Sequence, residues 1–256
     1  MEGSQLLIPA VLGAGAISTA LARRHQAKKL IHLLDARSSS VAELLDLQAT
    51  VAAQMGAGSF RERVKLSAEI VCAAPLTAPW SGEPCVAFRN TTTALMEVRE
   101  ERTSTDSEGN SHTSVSWERR EDTLETLERR CSFALRQGNQ QLKLDPTAAD
   151  LELETVFSNV EPASAPATHN TRPLGTRREE AILRPNGMVF VVAECSDSGG
   201  ALQLQAPLEA GLFVVRRGGE EAFSRSIRRW RRIWTASSWV LTCAAAATTL
   251  ASLLQR

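Results

Sequence analysis

Hydrophobic and polar positions divide this chain into apolar ends and a patterned middle. Residues 3–22 carry no charge and read GSQLLIPAVLGAGAISTALA. As a helix rising about 1.5 Å per residue, that run spans roughly 30 Å, the thickness of a bilayer's hydrocarbon core. Arg23, Arg24, Lys28 and Lys29 follow at once. The Met1-Glu2-Gly3 start lacks the basic lead of a cleaved signal peptide, so an uncleaved anchor over 1–24 is expected. Residues 233–254 form a second charge-free run, Ala-rich with seven Ser and Thr. Hydroxyls there can bond back to helix carbonyls, which lowers their cost in lipid. Trp230, Trp234 and Trp239 gather at its start. A second transmembrane helix over 233–256 is expected.

Between these ends the period changes twice. Residues 25–58 read as a helical segment. Leu30, Ile31, Leu33 and Leu34 make one apolar face, and Ser40 with Glu43 forms an S-x-x-E capping box. A helix VAELLDLQATVAAQM follows and ends at Gly56 and Gly58. From Val64 the alternation becomes two, with Val64, Leu66, Ala68, Ile70 and Cys72 on one face. Short strands are expected around Cys85–Phe88, Leu95–Glu100, Ser132–Leu135, Gln141–Leu144, Leu202–Gln205 and Leu212–Val215, with Met188–Glu194 as a central strand. Thr103–Ser116 reads as a hairpin tip, Pro162–Pro173 as a long loop, and Glu179–Leu183 as a helical turn or edge strand. The expected class is α+β. A β-rich domain over 59–232, barrel-like or sandwich-like, is preceded by the helical segment and flanked by two transmembrane helices.

Charge sharpens this picture. Basic and acidic residues balance at 29 each, which gives no general reason to expect nucleic acid as a partner. Seven arginines crowd positions 216–232. Arg228, Arg229, Arg231 and Arg232, with Trp230 and Trp234, read as a membrane-interface collar whose partner is the lipid bilayer. The basic residues flank the loop side of both runs, which places the middle domain on the cytoplasmic side or its equivalent.

Candidate chemistry is sparse. Five cysteines are widely spaced and none forms CxxC, and the four histidines lie apart, so neither a disulfide scaffold nor a zinc module is expected. No G-x-S-x-G occurs, and Cys72 and Cys85 fall in or beside strands, where thiols are usually inert. Gly199-Gly200 and Gly218-Gly219 make no phosphate loop. Glu100-Glu101 and Glu179-Glu180 read as solvated surface pairs. No catalytic residue, metal or cofactor is expected.

The order of residues is more informative. Val64–Cys72, then Pro75-Leu76, then Ser81-Gly82-Glu83-Pro84-Cys85-Val86, resembles the opening of the GIDE domain. Ser132-Phe133 with Leu142–Pro146 resembles a later hairpin of that family. Glu179–Leu183, Gly187 and Glu194 resemble its closing element. The resemblance spans about 60–232. It departs at Ala68 and Ala193, where many members carry Gly. Pro75, Leu76, Gly82, Pro84, Cys85, Val86, Glu179, Leu183, Gly187 and Glu194 are the motif positions, and their types suit turns and strands rather than catalysis.

The resemblance implies a membrane-anchored relative of RING-type E3 ubiquitin ligases of mitochondrial or chloroplast outer envelopes. Such ligases join the GIDE domain to a zinc-binding RING that transfers ubiquitin. The expected role is therefore protein ubiquitination through binding of membrane-protein substrates or a RING-bearing subunit, since no RING spacing of Cys and His occurs in these residues. The alternative is a non-catalytic, membrane-tethered β scaffold with a quality-control role.

Overall fold

The computed structural model describes residues 29–105 and 110–221, together with 24, 27, 223–225, 228, 229, 232 and 233. A helical stretch, 29–35, precedes β1 (Arg37–Ser38) and α1 (Val41–Met55). The start of α1 is set locally. Ser40 Oγ accepts from the Glu43 N–H at 3.2 Å, and the Glu43 carboxylate accepts from the Ser40 N–H at 2.9 Å. This reciprocal pair satisfies two N–H groups that a bare helix start leaves open.

The expectation of a domain flanked by two transmembrane helices is corrected here. Among the described residues no helix is long and apolar enough to cross a membrane. The longest, α1, has 15 residues, about 22 Å, and carries Glu43 and Asp46. A two-pass membrane localisation is accordingly not supported by the described residues. Residues 3–22 and 234–254, on which that expectation rested, lie outside the described residues.

The chain divides into two compact units. Unit 1 comprises 1–69, 135–150 and 188–256, and unit 2 comprises 70–134 and 151–187.

Unit 1 is organised by an eight-stranded sheet. Its strands are β1, β2 (Arg61–Val71), β7 (Phe133–Gln137), β8 (Gln140–Leu144), β9 (Asp150–Leu151), β12 (Met188–Ser196), β13 (Gln203–Gln205) and β14 (Val214–Arg217). The order β2-β7-β8-β13-β12 closes on itself through β2–β12 pairing, so five strands form a barrel-like ring. Closure is antiparallel, from Met188↔Glu69 to Ser196↔Arg61. Opposed residues share a face, so Val64, Leu66 and Ala68 meet Ala193, Val191 and Val189, all buried. The alternate β12 residues, Phe190 and Val192, pack on Leu33, Ala36, Leu212 and Val214. Burial on both faces explains the continuous apolar run of β12, which is the central strand the sequence suggested.

Unit 2 holds a four-stranded antiparallel sheet in the order β10 (Glu154–Pro162), β11 (Thr171–Leu183), β5 (Ala87–Thr105) and β6 (Ser111–Arg130). A small pair, β3 (Leu76–Thr77) and β4 (Pro84–Cys85), lies in the same unit. The β5–β6 hairpin runs from Ala87↔Arg130 to Thr105↔Ser111, so most of the expected hairpin tip is strand. Residues 106–109 lie outside the described residues. Glu179–Leu183 belongs to an interior strand between β10 and β5, not to an edge. One apolar cluster here joins Ala78, Cys85, Phe88 and Ile182, with Leu76 and Val156 against them.

Candidate functional site

Unit 2 brings several motif positions together. Leu76 pairs with Cys85 across β3–β4. The Val86 N–H donates to the Leu183 carbonyl at 2.8 Å, and the Ile70 N–H donates to the Gly187 carbonyl at 3.0 Å. Pro75 and Gly82 are exposed in the connecting segments, where Gly82 takes a φ of 72°, and Pro84 is exposed at the start of β4. Glu179 is half-buried beside Arg177 at 3.3 Å. Glu194 stands apart from these, on β12 of unit 1.

Glu180 corrects the reading of Glu179-Glu180 as a solvated pair. Its residue is fully buried. The carboxylate accepts from the Trp80 N–H at 2.9 Å, the Ser81 N–H at 2.8 Å and the Ser81 hydroxyl at 2.5 Å. Burial alone would raise its pKa, but these bonds and one from the Asn90 side chain hold it below the usual carboxylate range. The turn it grips is closed by Ala78 N–H to Glu83 carbonyl and Gly82 N–H to Ala78 carbonyl, both 2.9 Å. Ring contact of Trp80 with Phe157, centroids 5.9 Å apart, backs the turn. Sequence reading missed Glu180, yet a signal existed. Residues two apart on a strand share a face, and Ile182 is plainly apolar.

Three thiols gather in the same unit. Cys72 Sγ lies 3.8 Å from Cys131 Sγ, and both are half-buried. The Cys131 thiol donates to the Val86 carbonyl at 3.4 Å. Burial pushes Cys131 and the fully buried Cys85 up to about 11, and Cys195 of unit 1 up to about 12. Thiols held so far from thiolate are slow nucleophiles at neutral pH.

Unit 1 presents an open groove of about 300 Å³, lined by Arg61, Glu62, Arg63, Glu194, Leu208 and Glu209. Glu194 is buried at its wall. Arg61 Nε lies 3.3 Å from Glu194 Oε1, off the line of a hydrogen bond, and Arg63 pairs with Glu209 at 3.3 Å. These residues offer charged edges for recognition and no nucleophile. Asp197, which meets α1 through Gln48, is a second buried anchor of unit 1. It accepts from Gln48 Nε2 at 3.0 Å, the Gly58 N–H at 3.2 Å and the Phe60 N–H at 2.9 Å. Those bonds, the Gln48 one foremost, hold its carboxyl below the ordinary range.

No group of three His, Cys, Asp or Glu among the described residues is arranged to hold a metal ion. Of the expected interface collar, Arg228, Arg229 and Arg232 are exposed, while Trp230, Arg231 and Trp234 lie outside the described residues.

Comparison with known proteins adds one positive finding. A family model named GIDE and described as E3 ubiquitin ligase matches residues 101–251. That range takes in Glu179, Leu183, Gly187 and Glu194, and leaves Pro75–Val86 before it. No curated protein and no solved structure matches the chain. The matched stretch covers more than half of the 256 residues and includes strands of both units, and the chain belongs to the GIDE family of E3 ubiquitin ligases.

Proposed function

We propose that this chain serves protein ubiquitination as the substrate- or partner-binding part of a RING-type ligase, working with a zinc-holding RING that these 256 residues do not themselves form. The family match over 101–251 carries the reading. The chemistry of the residues supports the division of labour. Ubiquitin transfer by a RING requires two zinc ions held by closely paired Cys and His. The five cysteines and four histidines of this sequence are not so paired. What the described residues offer instead is recognition surface, including the charged groove at Glu194 and the hairpin of 19- and 20-residue strands in unit 2.

Affinity capture of the full chain from its native cells, followed by a ubiquitination assay on the captured assembly, tests this. The expected result is a RING-bearing protein in the capture and ubiquitin chains formed on a co-captured protein. Transfer should be lost when zinc is chelated. A capture without any RING-bearing protein and without transfer activity overturns the proposal.

A further inference from the structure

The thiols of unit 2 have a use that the binding role does not absorb. Cys72 is the first residue after β2, and Cys131 is the first after β6. They lie 59 positions apart, yet their sulfur atoms stand 3.8 Å from each other. The Cys131 backbone is fixed by its N–H bond to the Val86 carbonyl at 2.9 Å. Both side chains are half-buried rather than sealed. A disulfide between them would draw the sulfurs in to the bonding distance of about 2 Å. We propose that Cys72 and Cys131 are a redox modification site that closes to an intramolecular disulfide in the presence of a low-molecular-weight disulfide such as glutathione disulfide.

The step balances as follows. The Cys72 thiol loses its proton and attacks one sulfur of glutathione disulfide, forming a protein–glutathione mixed disulfide and releasing one glutathione. The Cys131 thiol loses its proton and attacks Cys72 Sγ, forming the protein disulfide and releasing the second glutathione. Two protein thiols are oxidised, and one glutathione disulfide is reduced to two glutathione molecules. The order follows from the surroundings. Cys131 is engaged with the Val86 carbonyl and held up to about 11, which suits the slower, closing attack. Closure therefore accelerates as pH rises. Once formed, the bond resists reduction, because a thiol of high pKa is a poor leaving group. Cys85 lies fully buried nearby and stays a spectator.

The test incubates the folded full chain with glutathione disulfide at several pH values, blocks free thiols by alkylation without denaturant, and maps the peptides by mass spectrometry. The expected result is a Cys72–Cys131 linked peptide, lighter by two hydrogens, that forms about tenfold faster per pH unit through the neutral range. Dithiothreitol should reverse it, and the Cys85→Ser variant should form it as well as the wild type. Cys195, wholly buried, should remain unalkylated and unlinked, which reports that the chain stayed folded. Free, alkylatable Cys72 and Cys131 after prolonged oxidation overturn the proposal. So do stable glutathione adducts without closure, linkage through Cys85, or scrambled links that include Cys195.

Discussion

Ser81 and Glu180 are 99 positions apart in sequence and joined twice, through the Ser81 N–H at 2.8 Å and the Ser81 hydroxyl at 2.5 Å. This contact ties two motif stretches of the GIDE resemblance into one structure. The turn before β4 and the closing strand β11 are held by a charge that is out of water and supplied with donors. A buried carboxylate is costly when its donors are removed and stable when they are all present.

Glu180→Ala is expected to destabilise the protein by about 1–3 kcal/mol, because the Trp80 and Ser81 N–H groups lose their acceptor in a buried turn. The pH dependence follows from the direction of its shift. The folded carboxyl sits below its unfolded value, near 4.3 for a free glutamate, so its contribution is present above that pH. It is lost as pH falls through the folded value. Urea unfolding of wild type and Glu180→Gln between pH 3 and pH 7, on the order of a unit per step, should show a steeper acid loss in the wild type. Equal slopes would contradict the assignment.

Asp197 makes the parallel case in unit 1. Its carboxyl is likewise depressed, so its contribution is present above the unfolded aspartate value of about 3.9 and fades as pH falls through the folded one. Asp197→Ala should release the Gly58 and Phe60 N–H groups and lower the stability of the fold. Hydrogen exchange at those two amides should rise in the variant before exchange in β12 does. Unchanged protection there would sink the idea.

Gly175 is required by space as well as by conformation. Its φ is 152°, and a Cβ built there would lie 2.3 Å from the Glu161 carbonyl oxygen. Gly175→Ala should therefore cost about 1–3 kcal/mol. At Gly138, φ is 61° and nothing lies within 4 Å of such a Cβ, so alanine there should cost less. Denaturant midpoints of the two variants decide the point, and equal midpoints would argue against the close approach at Gly175.

Phe190 and Leu124 separate core from surface. Phe190 is buried in the cluster with Leu33 and Val192, and its ring meets Phe223 at 5.9 Å. Phe190→Ala should lose about 3–5 kcal/mol. Leu124 is 63% exposed on β6, and its alanine variant should fall within about 0.5 kcal/mol of wild type. Thermal unfolding of both would check the contrast.

Legibility followed the range of the interactions. The capping box at Ser40 and Glu43 needs only neighbours three apart, so the start of α1 was visible in the sequence. The run Met188–Glu194 was visible because burial on both faces demands apolar residues throughout. Strand β6 was not visible. Its residues are exposed almost throughout, so no alternation marks it, and its strand state comes from backbone pairing with β5. Strand β10 escaped for the same reason, since both faces of Glu154–Pro162 are largely open to solvent. Two apolar ends suggested membrane helices from composition alone, and no helix among the described residues meets that expectation.

By itself the sequence determined the elements whose signals are local, the β-rich class, the absence of paired zinc ligands in these residues and the likeness to the GIDE family. Only the tertiary structure decided that β12 closes on β2 into a ring, that Glu180 is buried while its neighbour Glu179 is not, and that Cys72 meets Cys131. The reason is physical. Periodicity and capping are properties of a few adjacent residues, whereas strand order, the burial of one carboxylate and the meeting of two thiols depend on backbone pairing between segments far apart in the chain.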